Sequence, residues 1–193
     1  LRYMILVGEK LPGSLLNLHD LEEELIIGRG PIREAMMILD RSGLVLNLPY
    51  KGAIVATPPT KKEILHIYDL RIDLEVKLAT EAMEYLTEVD IAELEEYHTQ
   101  MQEFPVDHHD VDSRFHFTIY DASNFPHLCN IAKSLRLSVE SVLNIYRRNE
   151  EHCMKFNKEH GEIIEAIKEQ DLEKLKRTIA LNIESGLEII NET

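Results

Sequence analysis

Apolar positions recur at two different spacings along the chain, and the change from one to the other divides it. Leu1 to Val7 reads as the tail of a helix stopped by Gly8, after which Leu11-Pro12-Gly13 forces a turn. Helical spacing predicts elements from about Leu18 to Leu25 and from Pro31 to Ser42. The second of these takes Pro31 as its first helical position, Gly30 as its cap and Gly43 as its stop. Two short apolar runs, Leu44-Val45-Leu46 and Ala53-Ile54-Val55, then flank Asn47 to Gly52, a turn-forming segment of hairpin length. After Pro58-Pro59, a short stiff linker, only helical periodicity is read. Breaks near Thr87, Phe104-Pro105, Ser123-Asn124, Asn149 and Gln170-Asp171 leave about six helices. In the last of them Leu172, Leu175, Ile179, Asn182, Gly186 and Ile189 form one stripe behind Asp171, its predicted N-cap. Asn182 is the polar member of that stripe, and an amide among apolar groups needs a polar partner.

Helix, helix, helix, hairpin is the order of a winged helix. The expectation is therefore a mostly α protein: a winged helix-turn-helix over residues 1–57 with a truncated first helix, a linker at 58–60, and an all-α bundle of about six helices over 61–193. With 193 residues, 44% of them hydrophobic, the chain has material for both cores. It has no run of about eighteen uncharged apolar residues and no secretory-signal pattern, which predicts a cytoplasmic protein without a membrane partner. The two cysteines, Cys129 and Cys153, form no CxxC pair and read as packing residues in a reducing compartment.

A net charge of -14 argues against coating nucleic acid without sequence preference, since neutralising phosphates takes clustered Lys and Arg. The distribution changes that picture. Up to Thr57 there are six basic side chains (Arg2, Lys10, Arg29, Arg33, Arg41, Lys51) against seven acidic ones (Glu9, Asp20, Glu22, Glu23, Glu24, Glu34, Asp40), out of 21 and 35 in the whole chain. The acidic excess thus lies in the C-terminal part, and the N-terminal part can carry a local basic face.

The stretch from Leu21 to Met36, LEEELIIGRGPIREAM, followed by Leu39-Asp40-Arg41-Ser42-Gly43-Leu44-Val45, resembles the GntR family of winged-helix regulators. That family's pattern runs roughly L-A-x-x-L-G-V-S-R-T-P-V-R-E-A-L-x-x-L-x-x-E-G-L-V, and Lys10-Leu11-Pro12-Gly13 and Pro49-Tyr50-Lys51-Gly52 match it too. The resemblance implies operator DNA, a palindrome read by a homodimer, as partner. The residues suit that role physically. Arg29 and Arg33, four apart near a helix start, can reach guanine edges or phosphates in the major groove. Isolated, such a pair would read as solvated helix charges; within this pattern it reads as a DNA contact. Exposed peptide N–H groups at Gly28 and Gly30 favour a phosphate, and Lys51 with Gly52 lets a wing approach the backbone. The chain departs from the pattern where Gly28 and Gly30 replace Ser and Thr and where Ile26 replaces Gly. Each missing hydroxyl costs a phosphate hydrogen bond of about 1 kcal/mol. Glu22, Glu23 and Glu24 are expected on a solvated outer face.

Four segments of the second half resemble the FCD ligand-binding domain of the FadR branch of that family: Arg71-Ile72-Asp73-Leu74-Glu75, Asp112-Ser113-Arg114-Phe115-His116 with Ser123-Asn124, Glu159 to Ile167, and the last helix. Asp112 and His116 lie four apart, so on a helix they project together and can share a metal ion. The resemblance implies a divalent cation, zinc or nickel for example, held by one Asp and three His, with His160 as a further ligand. The last imidazole would stand where this chain has Asn182, a weaker and harder donor. Without a metal, Asp112 and His116 would be a surface helix pair and Asn182 a buried polar residue that sets register. His108, His109 and Asp110 read as a solvated helix start. The resemblance also implies a small organic-acid effector, for which Arg71 is the candidate contact, steadied by Glu75; a ligand-free Arg71–Glu75 ion pair is the other reading. Effector binding would act on operator affinity through half-site spacing in a dimer.

Two other classes compete with this reading. A di-iron helical metalloenzyme needs paired Glu-x-x-His motifs, yet Asn149, Asn157 and Ser113 precede His152, His160 and His116 by three. No nucleophile elbow, Walker loop or dinucleotide fingerprint is present, so the expectation is no enzyme. The other class is a sensing module that has lost DNA binding, motivated by Gly28, Gly30 and the acidic charge.

Overall fold

Asn17 opens the helix-turn-helix by accepting hydrogen bonds on its side chain from the backbone N–H groups of His19 and Asp20, donors that a helix start leaves without partners. The computed structural model describes residues 1–41, 43–103, 109–146 and 150–191. Their contacts fall into two compact units, Leu1–Lys61 with Lys133–Ile145, and Lys62–Ala132 with Tyr146–Thr193.

The first unit contains helices α1 (Arg2–Leu6), α2 (Leu18–Leu25) and α3 (Arg29–Arg41), and strands β1 (Leu15–Leu16), β2 (Val45–Leu48) and β3 (Gly52–Val55). The sheet has the order β1-β3-β2 and is antiparallel throughout, with Leu15 opposite Ile54 and Val45 opposite Val55. Leu16, Leu21, Ile32, Met36, Leu39, Val45 and Val55 meet in its core. β1 was not expected, since two residues carry no alternation to read.

Helix α3 begins at Arg29, two residues ahead of the expected start, so Gly30 lies within the helix instead of capping it. Pro31 is tolerated because it still falls in the first turn, where N–H groups have no intrahelical partner. Arg29 and Arg33 are therefore both helical and one turn apart. In the hairpin, Pro49 and Tyr50 occupy the centre of a turn closed by Lys51 N–H donating to Leu48 C=O at 3.0 Å, and Tyr50 takes a φ of 64°. Gly52 follows with a φ of 101°, and a Cβ there would lie 2.2 Å from the backbone oxygen of Leu16. Its need for glycine arises inside the protein, from the close approach of β1.

The second unit is helical among its described residues, and the elements that follow the sheet are α4 (Lys61–Ala82), α5 (Glu88–Glu103), α6 (His109–Asp121), α7 (Pro126–Tyr146), α8 (Glu150–Lys168) and α9 (Leu172–Asn191). The second half of α7 belongs to the first unit. α5 packs on α6 and α8, and α8 on α9. Asn124 and Gln170, with φ of 59° and 54°, end α6 and α8 at the expected breaks. Asp171 caps α9 by accepting from Lys174 N–H at 2.9 Å. The expected breaks at Phe104-Pro105 and Asn149 lie outside the described residues. Cys129 and Cys153 are both free thiols. Among the described residues no helix is long and apolar enough to cross a membrane.

Helix α2 ends on Ile26 in the left-handed region, φ 54° and ψ 39°, with the side chain 89% exposed. A β-branched residue is strained there by about 1–2 kcal/mol and this one buries nothing in return. Ile26→Gly should raise unfolding stability by about 0.5–1 kcal/mol after the greater chain entropy of glycine is subtracted, seen as a higher denaturation midpoint.

Candidate metal centre and nucleic-acid interface

Three predicted ligands converge. Asp112 and His116 lie one turn apart on α6, and His160 reaches them from α8; all three are buried. Asp112 Oδ1 is 3.2 Å from His160 Nε2 and 3.9 Å from His116 Nε2, and the two Nε2 atoms are 3.3 Å apart. Donors sharing one tetrahedral ion with bonds of about 2.1 Å stand about 3.4 Å apart, so these separations suit a metal.

Hydrogen bonding at the far side of each ring gives the same answer. His160 Nδ1 lies 2.8 Å from the backbone oxygen of Phe156, an acceptor only, so Nδ1 carries a proton and in the neutral ring Nε2 presents a lone pair. Tyr120 Oη donates to Glu75 Oε2 at 2.9 Å, which leaves its own oxygen to accept from His116 Nδ1 at 3.3 Å. His116 Nε2 is thereby also a lone pair. Two imidazole nitrogens and a carboxylate oxygen thus face one another out of water, an arrangement that a cation relieves.

Asn182 lies on α9 and is buried, but its Nδ2 donates to Glu159 Oε2 at 3.0 Å, and Ser185 Oγ donates to Glu159 Oε1 at 2.6 Å. The polar partner required of Asn182 is thus Glu159, and no hydrogen bond joins Asn182 to the three converging donors. Side chains of the His108, His109 and Asp110 cluster lie outside the described residues.

Arg71 is 3% exposed, and its Nε donates to Glu75 Oε1 at 2.7 Å while the guanidinium stacks 5.0 Å from the ring centre of Tyr68. Burial opposes its charge, but the adjacent Glu75 carboxylate outweighs that and raises the guanidinium pKa above its ordinary value. The ion pair exists, then, in the core and not on a surface. Through Glu75 and Tyr120 it is continuous with His116. Tyr120 was missed in the sequence, although Asp112, His116 and Tyr120 recur at every fourth residue of α6, the spacing of one helix face.

In the first unit, Arg29 and Arg33 are exposed on α3, and Gly28 and Gly30 are exposed with open space where a Cβ would stand. Packing therefore does not demand either glycine. Lys51 is exposed at the wing, beside Tyr50, which is fully exposed at the tip and which the sequence did not single out. The acids of α2 are accessible to solvent, as expected, and two of them also meet cations. Glu22 Oε2 accepts from Arg29 Nε at 2.7 Å, and Glu24 pairs with Lys10 at 2.6 Å. Both acids meet a cation brought close by the fold, which spacing along one helix cannot reveal.

Residues 66–185 match the family model of the FCD domain. The chain is 28% identical over 188 residues to the HTH-type transcriptional regulator YdhC of Bacillus subtilis (strain 168), covering 93% of this chain and 82% of that protein. It is 30% identical over 185 residues to the gluconate operon transcriptional repressor of the same organism, covering 89% and 74%. The solved structure of E. coli McbR/YncC has the same fold, with a TM-score of 0.83 at 24% identity over 99% of this chain and 93% of that one. These relatives are named as regulators, and none as an enzyme.

Removing one member of a buried ion pair leaves the other charge without compensation, at a cost of about 3–5 kcal/mol. Glu75→Ala should lower unfolding stability by that amount in a urea titration, whereas Arg71→Met combined with Glu75→Leu should recover most of it.

Proposed function

The chain belongs to the FCD-domain branch of the GntR transcription regulators, and from that premise we propose that it is a cytoplasmic, homodimeric repressor that releases its operator on binding a small carboxylate. Residues 1–57 read the DNA and residues 61–193 sense the effector. The observation that carries the sensing half is the convergence of Asp112, His116 and His160 in the bundle, with a buried arginine joined to it through Tyr120 and Glu75. Those three residues would hold a divalent ion, and the ion would supply positive charge for a carboxylate oxygen. Arg71 would meet a second anionic oxygen, since beyond Glu75 its guanidinium has donors left for a fork. A polyhydroxy acid is the class suggested by the relative named for a gluconate operon.

On the DNA side, Arg29 and Arg33 enter the major groove, the N–H groups at Gly28 and Gly30 face a phosphate, and Lys51, Gly52 and Tyr50 bring the wing to the backbone. Effector and operator oppose one another to the extent that the effector prefers one arrangement of the dimer, and the coupling is reciprocal.

The experiment is a selection of bound fragments from the source genome by purified protein, with anisotropy titrations on the winners at fixed salt. A short palindrome should be enriched, and Arg29→Ala with Arg33→Ala should lose it; absence of enrichment with or without divalent metal and candidate organic acids would overturn operator reading. For the metal, calorimetry with Zn²⁺ or Ni²⁺ should show one site per chain that Asp112→Ala abolishes. Asn182→His should tighten that site by about 10–100-fold by adding an imidazole; unchanged affinity would remove position 182 from the ligand set.

A further inference from the structure

The ion pair between Glu22 and Arg29 has no counterpart in the sequence pattern of the family, where the position of Glu22 is alanine and the recognition arginine stands between Ser and Thr. Here those neighbours are Gly28 and Gly30, whose missing Cβ atoms leave nothing within 4 Å. No adjacent side chain can steady Arg29. Its hydrogen bond comes instead from the preceding helix, with Glu22 Oε2 2.7 Å from Nε.

We propose that Glu22 is a specificity-determining positioning residue: it holds Arg29 by Nε so that the two Nη groups present an end-on fork to one guanine. This rests on operator reading by α3. A guanidinium has five N–H donors, one on Nε and four on the Nη atoms. With Nε engaged, the side-on mode that uses Nε with one Nη is closed, and the fork that remains matches the O6 and N7 acceptors of guanine. Arg29 is also the first residue of α3, where the helix dipole disfavours a cation, and the Glu22 carboxylate offsets that. Burial does not enforce the contact, because the arginine side chain is 58% exposed and the glutamate 32%. It is a restraint on a mobile group at the surface, directed by one hydrogen bond.

The same carboxylate has a second effect. Standing beside a DNA-facing arginine, it repels phosphates and weakens any binding that relies on backbone charge alone. Specific sites gain an oriented fork and tolerate the repulsion; other DNA gains only the repulsion. Discrimination therefore rises while total affinity is held down.

The test uses the full-length protein and the fragment it selects. Affinities of wild type, Glu22→Ala, Glu22→Gln, Arg29→Ala and the Glu22→Ala/Arg29→Ala double variant are measured at several salt concentrations. The probes are that fragment, its single-guanine replacements and unrelated duplex. Glu22→Ala should bind unrelated duplex several-fold more tightly yet discriminate the selected site at least tenfold less, with the loss confined to one guanine of each half-site. Glu22→Gln keeps an oxygen acceptor for Nε and should retain most of the discrimination. The double variant should discriminate no worse than Arg29→Ala alone. If Glu22→Ala tightens all probes equally, Glu22 is only a competing charge and the proposal fails while operator reading stands. If wild type selects no sequence, both fail together.

Discussion

Burying three electron-pair donors at one point is the constraint around which the helical unit is built. Asp112 Oδ1 and the Nε2 atoms of His116 and His160 have been taken out of water and aimed at one another. Such a cluster is tenable only where its surroundings decide which nitrogen carries each proton and supply compensating positive charge. A backbone oxygen does the first for His160 and Tyr120 does it for His116. Glu75 holds Tyr120, and Arg71 holds Glu75. Each inner donor is matched by an acceptor one step further out, and Arg71 ends the series by donating to Glu75, so the polar core is ordered outward from the cluster.

The first unit solves the opposite problem. The groups proposed to meet DNA are exposed, and order has to be imposed on side chains that water would leave free. The core of Leu21, Ile32, Met36 and Val55 fixes the backbone of α2 and α3 but does not reach the guanidinium of Arg29. A single charge-assisted hydrogen bond across the turn between the helices does. Rigidity in one unit comes from exclusion of water, and in the other from geometry at its edge.

Much of this was legible in the sequence, for reasons that differ by element. The periodicity of α9 and the Asp171 cap were readable because both are local, and the spacing of Asp112 and His116 required only that α6 be a helix. The start of α3 was misread at Pro31, since proline tolerates several positions in a first turn and does not mark which one it occupies. β1 was invisible because its two residues owe their conformation to Ile54 and Ala53 across the sheet. The cation partners of Glu22 and Glu24 are not legible in the sequence because Arg29 and Lys10 lie seven and fourteen residues away on other segments. Likewise the link from Glu75 to Tyr120 spans 45 residues, and nothing in either neighbourhood announces it.

The contact between Gly52 and Leu16 bears on how this molecule can change over generations. The base of the wing is pinned to a third strand by a backbone approach that admits no side chain, whereas the tip at Pro49, Tyr50 and Lys51 touches little and Tyr50 stands wholly in solvent. Variation is thereby channelled. Substitutions at the tip that keep its turn leave the fold intact and alter only the surface the wing presents, so that surface can drift without endangering the structure that carries it.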